Sequence, residues 1–135
     1  MIHYVANNNI DYEKWDKCII GSVNNTFYAK SWYLDLVCEQ WDALVLNDFE
    51  AVMPLPKRKK CGIKYIYQPF MCQQLGLFHK HERYCVDEFL LAIPKEILHF
   101  NFNLNTHNSS TISVLKSNVN YLLPLDKDIK ELRAN

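Results

Sequence analysis

The chain has 135 residues, 49% apolar and 13% aromatic, enough for one cored domain and too apolar for intrinsic disorder. Fifteen basic residues against fifteen acidic ones leave no net charge, which excludes a whole-molecule field that would gather nucleic acid or anionic membrane. No apolar stretch reaches membrane-spanning length, and the first nine residues lack the basic region and apolar run of a signal peptide. With five cysteines, an odd and irregularly spaced set, free thiols in a reducing cytoplasm are expected rather than a disulfide framework.

Ile2-His3-Tyr4-Val5 reads as a first strand, followed by an Asn-rich turn. Asp11 is placed to cap a helix whose apolar residues Tyr12, Trp15, Cys18 and Ile19 recur at three and four, with Gly21-Ser22 ending it. A second helix runs from about Lys30 or Ser31 to Cys38, with Tyr33, Leu34, Val37 and Cys38 as its inner stripe. The pattern then changes to strands. Ala43–Leu46 and Ala51–Leu55 flank Asn47-Asp48-Phe49-Glu50, a hairpin turn. Pro54 and Pro56 each remove a ladder donor, which predicts a bulged or edge strand, and Lys57 to Gly62 reads as a basic turn.

Beyond that turn, Ile63, Tyr65 and Tyr67 alternate onto one strand face, and Leu75–Phe78 forms another short strand. A third helix is predicted over roughly Glu82–Ile93, with Cys85, Val86, Phe89, Leu90 and Ile93 inward and Pro94 as its stop. His99–Leu104 alternates through Phe100, Phe102 and Leu104, and Ile112–Leu115 and Val119–Leu123 read as the last strands. Trp15, Trp32, Leu44, Val52, Phe89 and Phe102 are the predicted core. The order β-α-α-β-β-β-β-α-β-β predicts an α+β fold: a mixed, largely antiparallel sheet with helices packed on it. One domain over residues 1–125 is expected. Asp128 and Glu131 then have the spacing of a capping box, and residues 126–135 read as the start of a further helix.

Residues able to do chemistry are plentiful but not arranged in a recognisable constellation. Cys61, Cys72, His79 and His81 are close in sequence, yet there is no Cys-x-x-Cys and no His pair at helical spacing, so no metal is expected. Cys72 and His79 lack the local signature of a nucleophile and its base, and no catalytic residue is assigned. Gly21, Gly62 and Gly76 stand isolated, so no glycine-rich phosphate loop exists and no cofactor is expected. Lys57-Arg58-Lys59-Lys60 is the one dense charge cluster. It reads either as a solvated hairpin end or as a contact for an anion, with Tyr65, Tyr67 and Phe70 close by as stacking or core residues. Gln73-Gln74, beside Gly76, either satisfies local backbone or faces a cleft.

Ser31-Trp-Tyr-Leu-Asp, Trp41-Asp-Ala-Leu, Met53-Pro-Leu-Pro, Tyr67-Gln-Pro and Gln73-Gln-Leu-Gly-Leu-Phe, in this order and spacing, resemble the N-terminal domain of bacterial FemAB-like proteins of Bacteroidetes type. Such proteins are tandem domains similar to the GNAT (N-acetyltransferase) fold, and the element order above is similar to it as well. The resemblance implies a GNAT-like domain that supplies substrate-binding surface in an acyl- or aminoacyltransferase. It implies a missing C-terminal GNAT-like domain as partner, and an anionic cell-wall (peptidoglycan) precursor or aminoacyl-tRNA as substrate. It also implies an exposed interdomain face through which a homodimer can form. By analogy Lys57, Arg58, Lys60, Tyr67, Gln68, Gln73 and Gln74 are the substrate-binding candidates. GNAT enzymes hold the coenzyme A pyrophosphate on a Gln/Arg-x-x-Gly-x-Gly/Ala loop, which this chain lacks, so autonomous acetyl transfer is not expected. The alternative is a non-catalytic GNAT-like interaction module.

Overall fold

A computed structural model describes residues 1–81 and 83–112. The predicted strands at 112–115 and 119–123 and the capping box at 128–131 fall essentially outside these residues. The elements run β1 (Ile2–Val5), α1 (Tyr12–Ile20), α2 (Ser31–Val37), β2 (Trp41–Leu46), β3 (Ala51–Lys60), β4 (Ile63–Tyr67), β5 (Phe78–His79), α3 (Val86–Leu91) and β6 (Ile97–Asn101). They build an α+β structure on a six-stranded sheet ordered β1-β2-β3-β4-β6, with β5 paired to β3. Among these strands every pairing is antiparallel except β4 with β6, which the connection through α3 makes parallel; an isolated bridge between Leu75 and Leu104 is parallel too.

Alternation along β2 and β3 divides the core in two. Trp41, Ala43, Val45 and Val52 face one side and pack with Trp15, Ile19 and Leu34 from α1 and α2. Leu44, Met53 and Leu55 face the other side and pack with Val86, Phe89 and Leu90 from α3. Asp11 caps α1 as expected, accepting the Lys14 amide at 3.1 Å. Helix α2 has no side-chain cap of its own at Lys30; instead Asp16 on α1 accepts both the Ser31 N–H (2.9 Å) and its hydroxyl (2.6 Å). That arrangement fixes the angle between the two helices.

Trp15, Leu44, Val52 and Phe89 are fully buried, and Phe102 is half-buried. Trp32 is not buried but 58% exposed. With Ser31, Leu34 and Cys38 turned inward, the position next to Ser31 lies about 100° round the helix and faces outward. Helix α3 is shorter than predicted, starting at Val86, and Cys85 sits exposed at its N-cap rather than inward. Just before it, Tyr84 donates to Glu50 at 2.7 Å, tying that segment to the β2–β3 turn.

Two further expectations change at β3. Lys57–Lys60 is strand, not turn: Lys60 pairs directly with Ile63, leaving only Cys61 (φ 49°) and Gly62 (φ 84°) as a two-residue hairpin. Positive φ at both positions is what a turn matched to the right-handed strand twist requires. Nor is β3 an edge. The Lys57 N–H bonds the Gln40 carbonyl at 2.9 Å, so odd-numbered amides point toward β2 and those at 54 and 56 point away. On that far side β5 pairs only at residues 51–52 and β4 only from 57 onward. The two prolines therefore fall in the gap between these partners, where no ladder donor is needed.

The loop after β6 is fastened by asparagines. Asn105 Nδ2 donates to the Leu75 (2.9 Å) and Leu77 (3.2 Å) carbonyls, Asn24 Nδ2 donates to Leu77 (2.7 Å), and Asn108 Oδ1 accepts the Leu77 N–H (2.6 Å). Between them Gly76 adopts φ 101°, and a Cβ there would stand 2.3 Å from Asn108 Oδ1. Gly62 also has positive φ, but nothing lies within 4 Å of its Cβ position. Gly76→Ala is expected to cost roughly 3 kcal/mol through strain plus a broken buried network, and Gly62→Ala only about 1 kcal/mol through strain. Urea unfolding of the two variants measures the difference.

Candidate functional site

An open cleft of about 290 Å³ lies where β1 ends and β2 begins, lined by Asn7, Asp35, Cys38, Trp41, Asp42 and Lys57 among others. Its floor is the Asp42 carboxylate, 1% exposed. A buried carboxylate survives only when its lone pairs and charge are answered. Here the Tyr4 hydroxyl, the Asn7 N–H (3.0 Å) and the Lys57 ammonium all donate to it. The donors come from β1, from the turn after it and from β3, so one side chain on β2 gathers three neighbouring segments. The Lys57 side chain is 27% exposed and lines the cleft. Burial, and then the bond to Asp42, push the Tyr4 hydroxyl well above the usual tyrosine range.

Asp35, exposed at the C-terminal part of α2, lines the cleft from the Trp41 side. Its Oδ1 accepts the Trp41 indole N–H at 2.7 Å and the Tyr12 hydroxyl at 3.2 Å. The Tyr12 and Trp41 rings stack with centroids 5.9 Å apart, holding α1 against the start of β2. Burial pushes the Cys38 thiol up to about 12, and the Cys72 thiol likewise to about 12. Neither is a thiolate at neutral pH, so neither is poised as a nucleophile. No group of three or more His, Cys, Asp or Glu side chains able to hold a metal ion occurs among the described residues.

The sequence-predicted site residues separate into four places. Lys57 alone lines the cleft. Arg58, one residue on, points to the opposite sheet face, where its guanidinium lies 4.2 Å over the Tyr67 ring and its Nε stands 3.4 Å from Glu39. Lys60 is exposed at the hairpin end, paired with Ile63. Gln68 bridges two loops, donating to the Cys72 carbonyl and accepting the Asn103 N–H at 2.8 Å. The Gln73 carbonyl accepts from the Asn103 amide at 3.0 Å, and the Gln74 carbonyl faces the Cys72 thiol at 3.8 Å. Tyr4, Asn7, Asp35 and Asp42 were not among the expected site residues. One signal was legible: Asp42 is a single acid entering the apolar strand run Ala-Leu-Val-Leu, a position that calls for a buried partner.

Comparison with family models, with curated proteins and with solved structures returned no match.

Lys57 therefore differs from the other basic residues in being part of the fold. Lys57→Met is expected to cost about 2–3 kcal/mol, somewhat less than for a fully buried pair because the ammonium is partly solvated, while Lys60→Met stays within about 0.5 kcal/mol. Chemical denaturation at pH 7 separates the two. For the thiols, a disulfide reagent at pH 8 is expected to modify exposed Cys61 and Cys85 in the native chain. Buried Cys18, Cys38 and Cys72 are expected to react only on unfolding, which a time-resolved count of released chromophore follows.

Proposed function

We propose that this chain is the N-terminal, substrate-binding half of a FemAB-like acyl- or aminoacyltransferase, with a GNAT-like fold, and that it is not catalytically competent by itself. The observation that carries the reading is topological. Two helices follow β1, four antiparallel strands (β2 to β5, the last only two residues long) follow the helices, and α3 then carries the chain across to lay β6 parallel on β4. This keeps the element order to which the GNAT resemblance attaches, and it puts α1 and α2 on one face and α3 on the other. Fold likeness by itself carries no activity. The functional part rests on the FemAB-like motifs and on the basic side chains of β3, of which Lys57 reaches a cleft and Arg58 and Lys60 face solvent. On this reading the substrate is an anionic cell-wall precursor or aminoacyl-tRNA, and a second GNAT-like domain completes the enzyme in the cytoplasm.

One observation favours the second reading, a non-catalytic interaction module. Phe27, Tyr28, Trp32 and Tyr33 form a chain of ring contacts with centroids 4.2–5.5 Å apart on the outside of α2 and the turn before it. Phe27 and Trp32 are exposed there, the kind of apolar surface that marks a protein contact.

Side-by-side assay decides between the two. With acyl-coenzyme A, aminoacyl-tRNA and cell-wall precursors offered to this chain, binding of precursor without turnover is expected. Turnover is expected only in a polypeptide that also carries a second GNAT-like domain. Neutralising Arg58 and Lys60 together is expected to weaken precursor binding about tenfold, the effect of losing one to two charge-assisted contacts. Unaltered affinity, or turnover by this chain at an equal rate, refutes the half-enzyme reading.

A further inference from the structure

We propose that the cleft between Asp35 and Lys57 binds a small zwitterion, its ammonium group facing Asp35 and its carboxylate facing Lys57. An α-amino acid is the simplest ligand of that class. The assignment starts from charges. Three acidic residues are among those that line the cleft, Asp35, Glu39 and Asp42. Asp42 is answered by Lys57, and Glu39 by Arg58. Asp35 has no cationic partner among the described residues; its contacts are the neutral Trp41 and Tyr12 donors, both on Oδ1. It is the one carboxylate at the cleft whose charge is left for a ligand to meet.

Lys57 supplies the other pole. An ammonium carries three donors, and the bond to Asp42 uses one of them. Its part-exposed side chain lines the cleft, with two donors beyond the one that Asp42 takes. A simple anion would be drawn to Lys57 but would meet the acidic Asp35 and Asp42 against that one ammonium. A simple amine would pair with Asp35 and leave Lys57 unused. A ligand with both charges answers both side chains. At about 290 Å³ the open cleft lies just below the range of drug-sized sites, which run from ~300 Å³ upward, and has room for an amino acid. The inference does not depend on the transferase reading, since a binding module uses the same cleft equally well.

The structure offers its own reporter. The Trp41 indole N–H donates to Asp35, whereas the Trp15 indole N–H donates to the Ala29 carbonyl in the core at 2.8 Å. A proton–nitrogen spectrum of the labelled chain therefore carries three indole signals, Trp41 at the site, Trp15 in the core and Trp32 exposed on α2. Titration with glycine is expected to move the Trp41 signal and leave Trp15 in place, with a Kd on the order of 1 mM. Methylamine is expected to move it at concentrations about tenfold higher, and acetate not to move it. Asp35→Asn is expected to abolish the glycine response while the Trp15 signal reports an intact fold. Where that variant fails to fold, the three-ligand series on the unaltered chain decides alone. A Trp41 response equal for glycine and acetate, or equal for glycine and methylamine, overturns the assignment. So does a shift shared by Trp15, or no Trp41 response to glycine up to about 50 mM.

Discussion

The Asp42 carboxylate, closed off from water and held by Tyr4, the Asn7 amide and Lys57, sets the organisation of this end of the sheet. A charge in such a place is tolerated only because its partners arrive from three separate stretches of chain. Each partner is thereby positioned: Tyr4 fixes the course of β1, Asn7 the turn that leads to α1, and Lys57 the point where β3 passes β2. The next residue along, Trp41, faces the opposite side of the sheet and bonds Asp35 on α2. Two consecutive residues of β2 thus anchor both layers. The cleft exists because the polar groups needed for that anchoring prevent the apolar core from closing over them.

Strand β3 carries the second constraint. It is the longest strand described and is paired on both sides, to β2 along one edge and to β5 and β4 in turn along the other. Two prolines inside it mark the interval between those partners. The strand beyond them turns basic and loses its apolar burial, so the same ten residues serve as core at one end and as a solvent-facing ribbon at the other. Opposite faces of the ribbon point Lys57 and Arg58 in different directions. A run of positive charges that looks continuous in sequence is therefore divided into separate environments by the two-residue period of a strand.

Local signals were the most legible part of the sequence. The Asp11 cap, the turn at Asn47–Glu50 and the apolar stripes of α1 depend on residues a few positions apart, and they stand as read. Trp32 misled because aromatic content suggested burial, whereas position on a seven-residue helix decided exposure. Pro54 and Pro56 misled for the opposite reason: proline chemistry was read correctly, but whether a neighbour needs the missing donor depends on where β4 and β5 pair. The site was least legible. Tyr4, Asp42 and Lys57 lie 38 and 15 residues apart in sequence, and Asp16 caps a helix beginning 15 residues later. Lys57 carried a signal through its place in a basic run and Asp42 one as a single acid entering an apolar strand, but neither named the other as its partner.

The asparagine fastening around Leu75–Leu77 has a bearing on the order of assembly. Asn24, in the first quarter of the chain, bonds Asn105 across 81 residues at 3.1 Å, and both share the Leu77 carbonyl. During synthesis the part from β1 through β5 emerges with Asn24 and the carbonyls of Leu75 and Leu77 lacking these late partners. The apolar layers can collapse at that stage, since their residues are mostly early in the chain, but the segment carrying Gly76 stays unlatched until residues 105–108 arrive. A ribosome paused between the two would therefore hold a nascent chain that is compact yet still open to proteolysis at the Leu75–Leu77 segment.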